Sequence, residues 1–222
     1  MLFADRRDAG QRLAKALQRF KTQRPAVLAL PRGGVPVGFE IAQSLEAPLD
    51  LLLVRKIGHP FSPELAVGAI ADGETIEKVI ESDIVAELGV PQNYLDEEIG
   101  RQQREIEHRR QIYLGRRAPI DLRGRTALVV DDGIATGATM RAALRAARKR
   151  GPAKVVLAVP VAAASSLESL RPEADEIVCL FSPEDFGAVG MFYADFRPVE
   201  DQVVLDLLDR SAAAVARRDA GH

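Results

Sequence analysis

Two adjacent aspartates, Asp131 and Asp132, are the residues of this chain best suited to chemistry. They follow the apolar run 126–130, which predicts a buried strand, and they precede small residues and a helix beginning near Thr139. A helix N-terminus presents free backbone N–H groups and the positive end of a dipole, so it attracts phosphate groups. Carboxylates beside it are able to bind sugar hydroxyls and a hydrated Mg²⁺. The spacing therefore predicts a site for a phosphorylated sugar.

The same segment has a plainer interpretation, in which two acids end a strand and a capped helix follows. Thr136 or Thr139 would serve as the N-cap of any helix. Adjacent carboxylates at the end of a buried strand are costly without a partner, however, so ligand binding is the favoured interpretation. A nucleotide P-loop is excluded, because the pattern Gly-x-x-x-x-Gly-Lys-Ser/Thr occurs nowhere in the chain.

Two other predicted strands also end in residues suited to anions. The run 26–30 leads into a Pro-Arg-Gly-Gly turn that contains Arg32, and the run 49–54 leads into Arg55 and Lys56. Parallel strands bring their carboxyl ends to one edge of a sheet, where open α/β folds bind ligands. Each segment alone is a weak signal, since it is equally typical of a turn or a solvated cation pair. Together they predict a cationic arc that faces the two carboxylates.

The segment 129–140 resembles the phosphoribosyl pyrophosphate-binding motif of type I phosphoribosyltransferases. Both have apolar residues, two acids, three further residues and then Thr-Gly-x-Thr. The resemblance implies that Asp131 and Asp132 act in catalysis and contact the ribose hydroxyls and Mg²⁺, the latter through the ligand or water. It also implies that the 5-phosphate is held by Ala135, Thr136, Gly137, Ala138 and Thr139.

The other two strand ends acquire roles from the same resemblance. The family's pyrophosphate-binding loop is matched by Arg32, Gly33 and Gly34. The segment after the second strand resembles a mobile loop that closes over pyrophosphate, so Arg55 and Lys56 are expected to stabilise the leaving group in catalysis. His59 in that loop is a candidate contact to pyrophosphate or to the acceptor, and a merely exposed side chain is the alternative.

The acceptor of the phosphoribosyl group is expected to be a nucleobase or a similar small nitrogen compound. Residues 182–198 correspond to the hood over the acceptor, where Phe186 or Tyr193 would stack on a base, unless these rings anchor the segment on the core. In the members of the family that act on 6-oxopurines, an Asp occupies the position of Ala135, so 6-oxopurines are less favoured here. The segment 55–70 and the aromatic tail resemble a bacterial group of phosphoribosyltransferase-like proteins.

The elements that must position these residues are those of one α/β domain over 1–222, with a mostly parallel central sheet and helices on both faces. Strands are predicted at 26–30, 49–54, 126–130, 154–159 and 176–181. Helices are predicted at 35–45, 92–114, 139–150, 163–170 and 201–218. Residues 66–118 are predicted to be an insertion, formed by a hairpin that turns at Asp72-Gly73 and by the long helix at 92–114.

Composition narrows the partners of the protein. Thirty basic and thirty-two acidic residues give a net charge of −2, which makes nucleic acid an unfavoured partner. The longest apolar stretch, 155–164, is too short to span a membrane. The lone Cys179 indicates a reducing compartment, so a cytoplasmic protein is expected. The insertion and the hood are candidate interfaces of a homodimer.

Two rival functions use the same residues. A non-catalytic regulator that senses phosphoribosyl pyrophosphate would keep the fold, and a cluster of arginines would supply a nucleic-acid face. That cluster consists of Arg101, Arg104, Arg109, Arg110, Arg116, Arg117, Arg123 and Arg125. A metal-dependent phosphatase would use Asp131 and Asp132, but this hypothesis leaves the Pro-Arg-Gly-Gly turn unexplained.

Overall fold

A computed structural model describes residues 2–72, 76–115 and 117–219 of the chain, and only the backbone of residues 63, 64 and 219. The predicted turn at Asp72-Gly73 therefore falls partly outside the described residues. Arg116 of the predicted basic cluster also lies outside the described residues. The strands on either side of the predicted turn are described, and they pair antiparallel.

The described residues form eight strands. These are β1 (Ala26–Ala29), β2 (Leu49–Leu51), β3 (Val54–His59), β4 (Ser62–Ala71), β5 (Glu77–Ile80), β6 (Thr126–Val130), β7 (Lys154–Val161) and β8 (Glu176–Phe181). Five of them form the central sheet in the order β2-β1-β6-β7-β8, and each neighbouring pair is parallel. The remaining three form a separate antiparallel sheet in the order β3-β4-β5.

Seven α-helices connect and cover the strands in the described part of the chain. They are α1 (Arg6–Ala16), α2 (Gly34–Leu45), α3 (Ser82–Glu87), α4 (Gln92–Tyr113), α5 (Ala138–Lys149), α6 (Ala164–Leu170) and α7 (Asp201–Asp219). None of these helices is both long and apolar enough to cross a membrane.

Helices cover both faces of the central sheet. Successive residues of each strand point to opposite faces, so each strand contributes to two separate apolar clusters. Val27 and Leu128 belong to the cluster that contains the buried faces of α1 and α2. Leu28 and Val129 belong to a second cluster, which contains the buried face of α5. This layering confirms the predicted α/β fold with a mostly parallel sheet.

The segment after β2 differs from the expected loop. The second predicted strand, 49–54, ends early at Leu51, and Arg55 lies in β3, which pairs with β4 in the small sheet. The segment has a buried Ile57 beside an exposed Lys56, the pattern of a strand that is buried on one face. The prediction of a loop relied on Gly and Pro residues, but the chain turns only at residues 60–61, and β3 pairs with β4 with register shifts at Gly58.

The long helix α4 packs against the small sheet and α7. Its predicted apolar stripe is buried in one cluster with Ile57 and Ile70 of the small sheet and Val204 of α7. The stripe consists of Leu95, Ile99, Ile106 and Tyr113. The predicted burial of this stripe is confirmed, and α4 reaches the carboxyl edge of the central sheet as a result.

Helix α1 is not among the helices predicted from the sequence. Its signals are present, since the side chain of Asp5 accepts a hydrogen bond from the backbone N–H of Asp8 and thereby caps the helix. Leu13 and Ala14 are buried on its inner face. The helix matters for the site because it begins at Arg6.

Candidate functional site

The two aspartates lie where β6 ends, beside the turn that follows β1. The strands β1 and β6 are parallel neighbours, and the backbone N–H of Leu30 donates to the carbonyl of Val130 at 2.9 Å. The backbone N–H of Asp132 donates to Oδ1 of Asp131 at 2.8 Å, which fixes the first carboxylate against its neighbour. The sheet thus brings the turn after β1 and the two aspartates after β6 together at its carboxyl edge.

The turn after β1 touches the aspartates so closely that side chains are excluded there. A Cβ placed on Gly33 would lie 2.0 Å from Oδ2 of Asp132. A Cβ on Gly34 would lie 2.8 Å from the carbonyl oxygen of Val130 and 2.9 Å from Cα of Asp131. Real Cβ atoms do not approach other atoms so closely, so glycine is required at both positions for this contact.

The electrostatics of the pair favour a cationic or hydrogen-bond-donating ligand. Burial raises the pKa of the Asp131 carboxyl well above its ordinary value, and the charge of Asp132 raises it further. Burial also raises the pKa of Asp132, against the opposing effect of the Arg6 guanidinium. Two partly buried carboxylates therefore lie side by side, and in the described part of the chain the only ion pair with either of them is that of Arg6 with Asp132. A ligand that adds positive charge or O–H donors would stabilise them.

Asp132 is contacted from two ends of the chain. Nε of Arg6 donates to Oδ2 of Asp132 at 2.7 Å, and the hydroxyl of Tyr193 donates to the carbonyl oxygen of Asp132 at 2.6 Å. The Tyr193 side chain is fully buried and packs beside Phe3 and Phe196. The burial of the Tyr193 ring and the hydrogen bond of its hydroxyl to Asp132 favour the alternative expectation, that this ring anchors the segment on the core, over stacking on a base.

The predicted phosphate loop leads from β6 into α5 and is anchored on the neighbouring strand. The backbone N–H of Ile134 donates to the carbonyl of Val161 at 3.0 Å, and the Ser166 hydroxyl donates to the carbonyl of Ala135 at 2.5 Å. Gly137 has φ +83° at the N-cap of α5, a conformation that favours glycine. Among the described residues no side chain caps this helix, so its first N–H groups are available to an anion.

Thr139 and the predicted cations line one cavity of about 620 Å³. The cavity lies between the N-terminus of α5, strand β3 and helix α4, and its lining includes Arg55, Lys56, Tyr94, Glu98, Arg101 and Gln102. The position of β3 thus brings the two predicted cations to the phosphate loop. Strand β3 and helix α4 form a wall of this site.

Arg55 is held in that wall by a chain of partly buried hydrogen bonds. Its Nε donates to Oε1 of Gln102 at 2.9 Å, and Nε2 of Gln102 donates to Oε1 of Glu98 at 2.7 Å. Arg101 completes the chain by donating to both carboxylate oxygens of Glu98. Burial lowers the pKa of Arg55, and the positive charge of Arg109 lowers it further. The positive charge at Arg55 is therefore only partly compensated, as expected for an anion-binding residue.

The other predicted site residues are Arg32, His59 and Phe186. Arg32 is half-exposed and faces Asp201 of α7, with a shortest N···O distance of 3.6 Å. His59 lies at the end of β3, where its Nδ1 accepts from the backbone N–H of Phe61 at 3.3 Å. Phe186 stacks on Phe192 with ring centroids 5.3 Å apart, so it anchors the tail while staying partly exposed.

The donor set fits Mg²⁺ held mainly by a ligand. The described residues contain no group of three or more His, Cys, Asp or Glu side chains that would hold a metal by themselves. Mg²⁺ in phosphate-handling sites typically uses one or two carboxylates together with substrate phosphates and water. Asp131 and Asp132, with their unbalanced charge, meet that requirement.

Most of the basic cluster is already neutralised by acids. Ion pairs join Arg101 to Glu98, Arg109 to Glu105, Arg110 to Asp72, Arg117 to Asp209 and Arg123 to Asp121. A nucleic-acid face needs cations that are free to replace counterions on phosphates. The arrangement therefore favours a solvated helix surface over a nucleic-acid face.

Two sets of site residues escaped the sequence analysis. Arg6 lies 126 positions before Asp132, and no local pattern links the two. Gln102 and Glu98 lie on the buried side of α4, where a polar residue among apolar ones was a usable signal. A buried glutamate and glutamine four residues apart on one helix indicate a partner, which here is Arg55.

Comparison with known proteins identifies relatives over nearly the whole chain. The family model described as phosphoribosyl transferase domain matches residues 5–197. Curated relatives from two strains of Mycobacterium tuberculosis, provisionally named phosphoribosyl transferases, are each 47% identical over 210 residues. These matches cover 95% of this chain and 47% of each relative, so the chain spans about half the length of these relatives.

A solved structure is similar over almost its full length. The crystal structure of the protein TT1426 from Thermus thermophilus has a TM-score of 0.76 and is 42% identical. The match covers 94% of this chain and 98% of that one.

Proposed function

The chain belongs to the phosphoribosyl transferase domain family, and from this premise we propose that it is an Mg²⁺-dependent phosphoribosyltransferase. It transfers the 5-phosphoribosyl group of phosphoribosyl pyrophosphate to a nitrogen acceptor and releases pyrophosphate. The observation that carries the proposal is the packing of Gly33 and Gly34 against Asp131 and Asp132 beside the uncapped N-terminus of α5. This packing supports one site for a phosphate, a ribose and a pyrophosphate.

Binding is divided among three parts of the sheet edge. The backbone N–H groups of residues 135–139 hold the 5-phosphate, and Asp131 and Asp132 accept hydrogen bonds from the ribose hydroxyls. The turn 32–34 and the cations Arg55 and Lys56 hold the pyrophosphate. Asp131 and Asp132 would hold Mg²⁺ through the ligand or water, and the ion would supply neutralising charge to the pyrophosphate.

The reaction breaks the bond between C1 of the ribose and the pyrophosphate oxygen, whose electron pair leaves with pyrophosphate. The acceptor nitrogen donates its lone pair to the oxocarbenium-like C1 from the opposite face, which inverts the configuration. The proton that an N–H acceptor loses as the new bond forms passes to water or to the released pyrophosphate. Arg55 and Lys56 stabilise the negative charge that develops on the leaving group. The protein contributes positioning, charge stabilisation and exclusion of water, without a covalent intermediate.

The acceptor is proposed to be a nucleobase or a related nitrogen compound. Phe186 and His59 are the proposed acceptor contacts that keep exposed surface, since both are only partly buried. Ala135 supports an acceptor other than a 6-oxopurine, because it offers no carboxylate for proton transfer. The balanced charge and the single cysteine support a cytoplasmic location, and a homodimer stays a prediction.

Pyrophosphate release in the presence of Mg²⁺ and a panel of purine, pyrimidine and other nitrogen acceptors tests this proposal. At least one acceptor should support release by the wild type. The double variant Asp131→Asn, Asp132→Asn should lose this activity, because the ribose hydroxyls and Mg²⁺ lose their charged partners. Asp209→Asn on the exposed side of α7 is the matched control and should keep it. Full activity of the double variant would contradict the site assignment.

Phosphate release without any acceptor is the informative alternative outcome. Metal-dependent release of inorganic phosphate by the wild type would favour a phosphatase over a transferase. Binding of phosphoribosyl pyrophosphate without turnover of any acceptor would favour the sensing regulator.

A further inference from the structure

The carboxylate of Asp132 is held by a residue far away in the sequence. Nε of Arg6 donates to Oδ2 of Asp132 at 2.7 Å, and the two side chains are only 12% and 14% exposed. A charge-assisted hydrogen bond that is shielded from water in this way is stronger than a surface ion pair. Arg6 therefore constrains the direction in which the Asp132 carboxylate points.

Arg6 is itself fixed by the tail that follows β8. The centre of its guanidinium lies 3.9 Å from the centroid of the Phe196 ring, a cation–π contact. Nη1 of Arg6 donates to the carbonyl oxygen of Arg197 at 2.9 Å. The guanidinium therefore contacts three groups, a carboxylate, an aromatic ring and a backbone carbonyl. Together these contacts fix its position.

The backbone of Asp132 is held by the same tail. The Tyr193 hydroxyl donates to the carbonyl oxygen of Asp132 at 2.6 Å. The ring of Tyr193 lies between Phe196, at a centroid distance of 5.0 Å, and Phe3, at 5.3 Å. The aromatic tail therefore fixes both the main chain of Asp132, through Tyr193, and its side chain, through Arg6.

We propose that Arg6 and Tyr193 are positioning residues that set the orientation of Asp132 toward the ribose hydroxyls. This inference rests on the proposed function, in which Asp132 binds the ribose. The clamp, which we define as Arg6, Tyr193 and Phe196, touches neither the phosphate loop nor Arg55 and Lys56 through any hydrogen bond between described residues. Loss of the clamp should therefore weaken ligands that contain ribose and spare pyrophosphate.

The experiment is calorimetric titration, in metal-free buffer, of the full chain with phosphoribosyl pyrophosphate, ribose 5-phosphate and inorganic pyrophosphate. Tyr193→Phe removes only the hydroxyl, and Arg6→Gln removes the charge. Arg6→Gln should weaken the two ribose ligands by about tenfold or more, as for the loss of a hydrogen bond to a charged group. Tyr193→Phe should weaken them by about threefold to tenfold, as for the loss of a hydrogen bond to a neutral carbonyl. Pyrophosphate affinity should stay within about twofold. Arg6→Lys should recover part of the loss, because it restores the charge without the guanidinium geometry.

Arg7→Gln is the matched control, since Arg7 is adjacent, is 73% exposed and pairs with Glu40 instead. It should bind all three ligands as the wild type does. Wild-type affinity of Arg6→Gln and Tyr193→Phe for the ribose ligands would overturn the inference. An equal loss of pyrophosphate binding would also overturn it, since that indicates general damage to the site. A wild type that binds neither ribose ligand, in metal-free buffer or after Mg²⁺ is added, would instead refute the proposed function itself.

If Arg6→Gln does not fold, Tyr193→Phe decides the question alone. This variant keeps the buried ring and its aromatic contacts, so its melting temperature provides the check on folding. A folded Tyr193→Phe protein with unchanged ribose binding overturns the role of the tail, and a selective loss supports it.

Discussion

At the scale of single residues, a methyl group at position 33 would force the two halves of the site apart. The Gly33→Ala variant would place its Cβ 2.0 Å from Oδ2 of Asp132, so either the turn or the carboxylate must move. Displacing a packed contact of this kind typically costs about 1–3 kcal/mol. We therefore expect affinity for phosphoribosyl pyrophosphate to fall by about tenfold or more, measured by calorimetric titration.

Gly100→Ala in helix α4 is the control for this prediction. The nearest atom to a Cβ at that position is the end of the Arg104 side chain at 3.6 Å, which is an ordinary contact. Alanine in a helix should stabilise the protein by about 0.5–1 kcal/mol and leave ligand binding unchanged. Equal ligand affinity of Gly33→Ala and the wild type would show that the turn does not need to touch Asp132.

At the scale of elements, Glu98 supports the attachment of α4 to β3 through Gln102, which accepts the hydrogen bond from Arg55, and it makes this attachment sensitive to acid. The hydrogen bond from Arg101 lowers the pKa of Glu98 from the reference value of 4.5, and Gln102 adds to this effect against burial. A group whose pKa is lower in the folded state stabilises that state above its unfolded pKa, and this stabilisation is lost as the pH falls through the folded value.

The prediction concerns the melting temperature as a function of pH. Wild type should melt at a higher temperature than Glu98→Gln at pH 7, and the difference should shrink as the pH falls below about 4.5. Glu97→Gln, on the exposed side of the same helix, should show no such convergence. A constant difference between wild type and Glu98→Gln down to pH 3 would mean that the charge of Glu98 does not stabilise this attachment.

Strand β3 and its pairing with β4 could not be predicted from local sequence patterns. Prolines and glycines between residues 58 and 63 favoured a loop, yet β3 and β4 form because their apolar residues are buried beneath α4. That burial depends on a helix that comes much later in the chain, as the shared cluster of Ile57 and the stripe of α4 shows. Tertiary packing therefore decided the structure of this segment, and local propensity did not.

At the scale of the whole molecule, the distribution of charge predicts weak interaction with nucleic acid. Five arginines of the basic cluster are paired with acids, and the net charge is −2. We expect no binding of duplex DNA or RNA in fluorescence anisotropy at low salt, where electrostatic attraction is strongest. Binding that weakens steeply as salt is added would contradict this expectation and favour the regulator.

The central sheet could be predicted from sequence because its strands are continuous apolar runs that are recognisable locally. The strand at 126–130 was located to the residue, and the motif at Asp131 and Asp132 marked the edge where the site lies. What could not be predicted are contacts that only the complete fold creates. The pairing of Arg6 with Asp132 and the burial of Tyr193 depend on segments 126 and 61 positions away.

Those two contacts also set an order of assembly during synthesis. A ribosome makes the motif at Asp131 and Asp132 well before it makes the tail that contains Tyr193, and the clamp needs both. A nascent chain that has emerged only as far as β8 would contain Arg6 and every residue of the motif, but not Tyr193 or Phe196, which complete the clamp. The proposed ribose-binding part of the site would therefore mature late in translation, and a message truncated just before the codon for Tyr193 would yield a protein that has the motif but binds its ligand poorly.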